Sequence, residues 1–88
     1  MFDTTILGYE LVQTCGACPE QYDVYRDGQE VGYFRLRHGY FAAYANGPSG
    51  QLVYDAQPKG DGIFDPDERE HFLTVAILSL DAHLKANP

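Results

Sequence analysis

Apolar and polar residues alternate along the first two thirds of the chain, which is the pattern of half-buried β-strands. The alternation is clearest in residues 21–26, 30–37 and 40–45, and it is less regular in residues 6–14 and 51–55. Asp27-Gly28 and His38-Gly39 separate the clearest segments, and both favour two-residue hairpin turns with positive φ. We therefore predict an antiparallel β-meander of four to five strands within residues 6–55, after a frayed start at residues 1–5.

The spacing of apolar residues becomes helical near the C-terminus. Asp65 is a suitable N-cap, Pro66 fits the first helical position, and Glu68 follows the cap by three residues. These signals predict a helix within residues 65–86 that packs on one face of the sheet, so the predicted fold class is α+β. The apolar stripe of this helix comprises Leu73, Ile77, Leu80 and Leu84.

The two hairpin turns predict which side chains share a face of the sheet, because cross-strand partners point the same way. Two-residue turns pair Tyr33 with both Tyr22 and Tyr44, and they place Arg37 opposite Tyr40. The apolar face then meets the helix and comprises Phe34, Leu36, Phe41 and Ala43. The opposite face is rich in tyrosine and arginine and comprises Tyr22, Tyr33, Arg35, Arg37, Tyr40 and Tyr44.

Tyrosine and arginine are enriched at protein-binding hot spots, so this second face is a candidate contact surface for a protein partner or for self-association. Two alternatives are that the N-terminal segment covers the face and that a β-bulge shifts the register. A third is that the tyrosines and arginines stack the bases of a single-stranded nucleic acid.

Composition limits the function classes that this chain can serve. The chain has 88 residues, 44% of them hydrophobic, which suits one small, soluble, globular domain. Thirteen acidic against six basic side chains give a formal net charge of -7, which argues against direct binding to nucleic acid or to an anionic membrane. We expect no membrane span and no secretory signal, since neither type of apolar segment is present.

The two cysteines, Cys15 and Cys18, form a single Cys-x-x-Cys motif followed by Pro19. Two cysteines this close cannot hold a fold of this size together, so we expect a reducing, cytoplasmic compartment. The motif could form half of a zinc site, a redox pair, a local disulfide, or a tight turn without any chemistry. Zinc is therefore the one candidate cofactor, and it would stabilise the domain structurally.

Five acidic residues crowd the segment 61–70 and form a candidate acidic patch. A calcium loop of the EF-hand type is disfavoured there, because the positions of the first two acidic ligands hold Gln57 and Lys59. The alternatives are a solvated helix start and a negative surface that engages a basic partner. The patch comprises Asp61, Asp65, Asp67, Glu68 and Glu70.

The sequence carries no nucleophile elbow, no P-loop and no dinucleotide-binding glycine motif. No set of residue types at a recognisable spacing points to catalysis. We therefore expect a non-enzymatic protein-interaction module.

Three segments resemble small uncharacterised proteins of bacteria and of their phages or prophages. They read CPEQYDVY (18–25), VGYFRLRHGYF (31–41) and KGDGIFDPDER (59–69), and the likeness covers residues 15–72. The resemblance assigns no activity to any residue. It implies a mobile-element context, in which small acidic proteins often modulate or inhibit a host protein by binding it.

Overall fold

A computed structural model describes residues 3–14 and 19–87 of the chain. Its six strands form one antiparallel sheet in the order of the sequence, and one C-terminal helix follows them. This confirms the α+β meander, with six strands rather than the predicted four to five. The elements are β1 Asp3–Ile6, β2 Tyr9–Gln13, β3 Glu20–Arg26, β4 Gln29–Arg37, β5 Tyr40–Ala45, β6 Gln51–Ala56 and α1 Arg69–Ala86.

Both predicted hairpin turns are confirmed by their backbone angles. The φ values are 53° and 80° at Asp27-Gly28, and 55° and 72° at His38-Gly39, as a two-residue turn of this type requires. A third such turn at Leu7-Gly8 joins β1 to β2. Residues 6–14 are therefore not one strand, and residues 3–5 belong to β1 rather than to a frayed end.

The register between β3 and β4 departs from the prediction at a β-bulge. Val24 pairs with Gly32 and Tyr25 with Glu30, which leaves Val31 as the extra residue. The bulge shifts every later pair by one position, so Tyr22 pairs with Phe34 and Tyr33 pairs with Asp23. The predicted pairing of Tyr22 with Tyr33 is wrong, whereas the pairing of Tyr33 with Tyr44 across β4 and β5 is confirmed.

The core lies between α1 and one face of the sheet. The predicted apolar face is fully buried there, together with two side chains of β2 and one of the connection that precedes the helix. The helix contributes Leu73, Ala76, Ile77 and Leu80, and it lies mainly against β5 and β6. The sheet contributes Tyr9, Leu11, Tyr22, Val24, Phe34, Leu36, Phe41, Ala43 and Ala45, and Phe64 completes the cluster.

Gly32 allows the helix to approach the sheet closely. A Cβ atom at this position would lie 2.8 Å from Cδ2 of Leu80 and 3.2 Å from the carbonyl oxygen of Tyr44. The bulge and the close helix therefore meet at the one residue of β4 that has no side chain.

The helix begins at Arg69, three residues later than predicted, because a turn occupies residues 66–68. The N-cap is therefore Glu68, and the predicted N-cap at Asp65 is wrong. The backbone N–H of Asp65 still donates to Oε2 of Glu68 at 3.0 Å, which is one of the two hydrogen bonds of a capping box. The same carboxylate accepts from the backbone N–H groups of Lys59 at 2.9 Å and Gly60 at 2.8 Å. Glu68 therefore joins the helix start to the loop that follows β6.

No helix in the described part of the chain has the length and the apolar composition that crossing a membrane requires.

Candidate protein-interaction surface

The sheet face opposite α1 is here called the open face, because no described element packs against it. Strand alternation and register place five of the six predicted contact residues there: Tyr33, Arg35, Arg37, Tyr40 and Tyr44. The sixth, Tyr22, is wrong as a contact residue, because the bulge turns it into the core, where it is 1% exposed. A one-residue shift moves a side chain to the other face of a sheet.

Side chains on the open face form four rows across the strands, numbered here from the Asp27-Gly28 turn toward the His38-Gly39 turn. Row 1 holds Thr5, Glu10, Tyr25 and Glu30. Row 2 holds Asp3, Val12, Asp23, Tyr33, Tyr44 and Leu52. Row 3 holds Gln21, Arg35, Ala42 and Asp55, and row 4 holds Arg37 and Tyr40.

Negative charge is concentrated at one end of the open face. Glu10, Asp23 and Glu30 surround Tyr25, whose pKa is raised by partial burial and by these three carboxylates. We did not predict this acidic end, although the alternation of β2 and β3 already places Glu10 and Asp23 on the face of Tyr25. The signal that could have revealed this end is the alternation of side chains between the two faces of a strand. The bulge between β3 and β4 obscures it, because it changes which residues of the two strands pair.

Positive charge is concentrated at the other end of the open face, on Arg35 and Arg37. These are the two basic side chains of the described residues that form no salt bridge, since Arg26, Lys59, Arg69 and Lys85 are all paired with carboxylates. The chain has thirteen acidic side chains for six basic ones, so we would expect each basic side chain to find a carboxylate partner. Two guanidinium groups in adjacent rows, without a carboxylate partner among residues 3–14 and 19–87, have the chemistry to bind carboxylates.

Two adjoining depressions surround these arginines. One has a volume of about 400 Å³ and is lined by Arg35, Arg37, His38, Tyr40 and Ala42. The other has a volume of about 490 Å³ and extends from the same arginines to Asp61. Ala42 contributes only a methyl group between the tyrosines of β5, which is why the first depression exists.

Hydrogen bonds hold two of the tyrosines in place on the open face. The Tyr33 hydroxyl donates to Gln21 Oε1 at 3.0 Å, and the Tyr40 hydroxyl donates to Asp55 Oδ2 at 2.9 Å. The Tyr33 and Tyr44 rings lie 6.4 Å apart, tilted by 32°. Tyr40 is 41% exposed and Leu52 is 42% exposed. An aromatic surface that is already ordered loses little side-chain entropy on binding.

The predicted acidic patch is only partly a free surface, because two of its carboxylates contact Lys59 and one is buried. Lys59 Nζ lies 3.0 Å from Asp67 and 3.8 Å from Asp65, and Glu68 is buried among backbone N–H donors. Placing Glu68 in a surface patch is therefore wrong, because its carboxylate serves the three N–H groups described above. Asp61 and Glu70 remain as exposed carboxylates of this segment.

A second buried carboxylate, Glu20, joins the start of β3 to α1. Glu20 is 2% exposed and accepts hydrogen bonds from the Arg69 guanidinium, the Tyr22 hydroxyl and the Phe64 backbone N–H. We predicted no role for Glu20. Its role is structural, since Tyr22 and Phe64 belong to the core and Arg69 begins the helix that covers it.

The candidate metal ligands Cys15 and Cys18 lie outside the described residues. Within residues 3–14 and 19–87, no three His, Asp or Glu side chains come together in a way that could hold a metal ion. The zinc site and the other interpretations of the motif therefore stay predictions.

Comparisons with known proteins give the chain no relative from which a function could be transferred. No family model, curated protein or solved structure matches it significantly.

Proposed function

We propose that this protein is a non-enzymatic protein-interaction module and that the open face is its contact surface. The observation that carries the proposal is the pair Arg35 and Arg37, which form no salt bridge with any described residue and lie beside ordered tyrosines in a strongly acidic chain. Buried and half-buried tyrosine and arginine side chains dominate the energy of many protein interfaces. The resemblance to phage and prophage proteins favours a modulator that binds a protein of its bacterial host.

The charges of the open face weigh against a nucleic acid as its ligand. The open face also carries five carboxylates, and a phosphate backbone bound to the two arginines would be repelled by them. They belong to Asp3, Glu10, Asp23, Glu30 and Asp55. A protein surface can offer carboxylates to the arginines and basic groups to the acidic end, so it can complement both ends of the open face.

Site-specific photo-crosslinking in bacterial cells tests the proposal directly. A benzoylphenylalanine in place of Tyr44 should form covalent adducts with a protein, either a second copy of the chain or another protein. The matched control carries the same crosslinker in place of Leu78, which is 51% exposed on the outer side of α1. Adducts at position 44 but not at 78 support the proposal, and equal or absent adducts at both positions overturn it.

A substitution experiment then tests the residues. Alanine at Tyr33, Arg35 and Tyr40 together should abolish the adducts formed from position 44 while the circular dichroism spectrum and the melting temperature stay close to those of the parent. Undiminished adducts in this variant would show that these three side chains do not form the contact.

A further inference from the structure

The arrangement of charge on the open face makes the face complementary to itself. Row 1 carries Glu10 and Glu30, and row 2 carries Asp3 and Asp23. Row 3 carries Arg35 on β4 and Asp55 on β6, and row 4 carries Arg37. Rows 1 and 2 are therefore negative, whereas both arginines of the face lie in rows 3 and 4. A second copy turned end for end brings the carboxylates of its rows 1 and 2 over these two arginines.

We propose that two copies of this chain pack through their open faces, around a twofold axis that runs across the strands between rows 2 and 3. The proposal rests on the function proposed above, since it names the occupant of the same face. This axis places Arg35 of each copy over the row of Asp23 in the other copy. It places Arg37 over the row of Glu10 and Glu30, and every such contact occurs twice.

Shape complementarity favours the same axis. Rotation about an axis perpendicular to the strands keeps each strand over its counterpart, and it exchanges rows 2 and 3. Tyr44 of one copy then lies over Ala42 of the other, where the depression of about 400 Å³ receives its ring. An axis parallel to the strands would instead place carboxylates on carboxylates and arginines on arginines.

The size of the open face suits a dimer that forms reversibly. Six strands about 4.8 Å apart and about 20 Å long give a projected area of roughly 500 Å². The tyrosine and arginine side chains project from the sheet, so the accessible area is larger than the projected area and approaches the ~800 Å² per partner of a standard interface. Repulsion between two chains of net charge -7 opposes association, but salt screens it beyond about 8–10 Å.

Sedimentation of charge-reversed variants tests the dimer. The parent should form dimers as its concentration rises from about 1 µM to 1 mM. R35E/R37E and D23R/E30R should each remain monomeric, and an equimolar mixture of the two should recover a dimer. The matched control, K59E/K85E, makes the same change in net charge as R35E/R37E away from the open face and should dimerise like the parent.

Several results would overturn the dimer. They are a parent that stays monomeric to about 1 mM, dimers that persist in both reversed variants, and a mixture that fails to associate although both variants keep the circular dichroism spectrum of the parent. If a reversed variant does not fold, isotope-filtered NMR of mixed labelled and unlabelled parent decides. A nuclear Overhauser effect between the Ala42 methyl group and the Tyr44 ring of the other copy supports the dimer, and its absence in a sample that sediments as a dimer overturns it.

The two proposals fail in different ways. A monomeric parent whose crosslinker at Tyr44 captures a different protein overturns the dimer and leaves the interaction module standing. A dimer through another face, without adducts from Tyr44, overturns both.

Discussion

Arg69 and Glu20 form a two-point salt bridge between the start of the helix and the start of β3. Nε of Arg69 lies 2.8 Å from Oε2 of Glu20, and Nη2 lies 3.1 Å from Oε1. The carboxylate is 2% exposed, whereas the arginine side chain is 29% exposed. The pair therefore compensates a charge that the fold has almost completely removed from water.

Removing the arginine should leave that charge buried without its partner. We expect Arg69→Ala to lower the free energy of unfolding by about 3 kcal/mol in urea titrations, and Arg69→Lys to lower it by less. Lys85→Ala breaks an exposed salt bridge at 2.9 Å to Asp81 and should cost under about 1 kcal/mol. Equal losses in Arg69→Ala and Lys85→Ala would contradict the importance of the buried pair.

The stability of the protein should fall in acid because of two carboxylates. Burial alone would raise the pKa of Glu20 and of Glu68, but hydrogen bonds outweigh it and hold each pKa below its ordinary value of 4.5. The donors are Arg69, Tyr22 and the Phe64 backbone for Glu20, and three backbone N–H groups for Glu68.

A lowered pKa means that the folded state binds fewer protons than the unfolded state as the pH falls below 4.5. The free energy of unfolding should therefore be constant above about pH 5.5 and decline through the lower pKa values. Urea unfolding between pH 7 and pH 3 measures this decline, which Glu68→Gln should make shallower. A flat profile in the parent would contradict the lowered pKa values.

A methyl group at position 32 should push the helix away from the sheet. Gly32→Ala brings Cβ into contact with Leu80 and with the Tyr44 carbonyl oxygen, and we expect a loss of about 1–3 kcal/mol. Leu80→Val removes the methyl group that Cβ would meet, so the double variant should lose less than the sum of the single losses. Thermal unfolding of the four proteins provides the comparison, and additive losses would show that the two residues do not meet.

Neighbouring aromatic residues on β4 test the assignment of the two faces. Phe34 is fully buried against Phe41, with their ring centroids 5.9 Å apart, whereas Tyr33 lies half-buried on the open face. Phe34→Ala should therefore cost about 3–5 kcal/mol of unfolding free energy. Tyr33→Ala should lower the free energy of unfolding by far less in a monomeric sample. A larger loss in Tyr33→Ala than in Phe34→Ala would mean that the two faces are assigned wrongly.

Local signals in the sequence predict much of this fold. Asp27-Gly28 and His38-Gly39 need no tertiary context, because their residue types favour positive φ, and the register of β4 with β5 follows from the second turn. The turn at Leu7-Gly8 was missed because leucine at its first position is not a turn signal.

Residues whose environment depends on distant parts of the chain were harder to predict. The bulge at Val31, beside Gly32, turns Tyr22 into the core. The available signal was a glycine within a strand. Glu20 is paired with Arg69, which lies 49 positions away in the sequence. A local sequence pattern cannot reveal such a contact. Glu68 is buried for a similar reason, because the loop after β6 folds back onto its carboxylate.

The order of the strands has a kinetic consequence. Every strand pairs with its neighbour in sequence, and three of the five connections between the described strands are two-residue turns. The cost of closing a loop is therefore small at most steps, and the sheet can grow hairpin by hairpin. The helix can dock only once β5 and β6 offer their apolar surface. Truncating Leu73 or Ile77 should consequently accelerate unfolding and leave the folding rate almost unchanged.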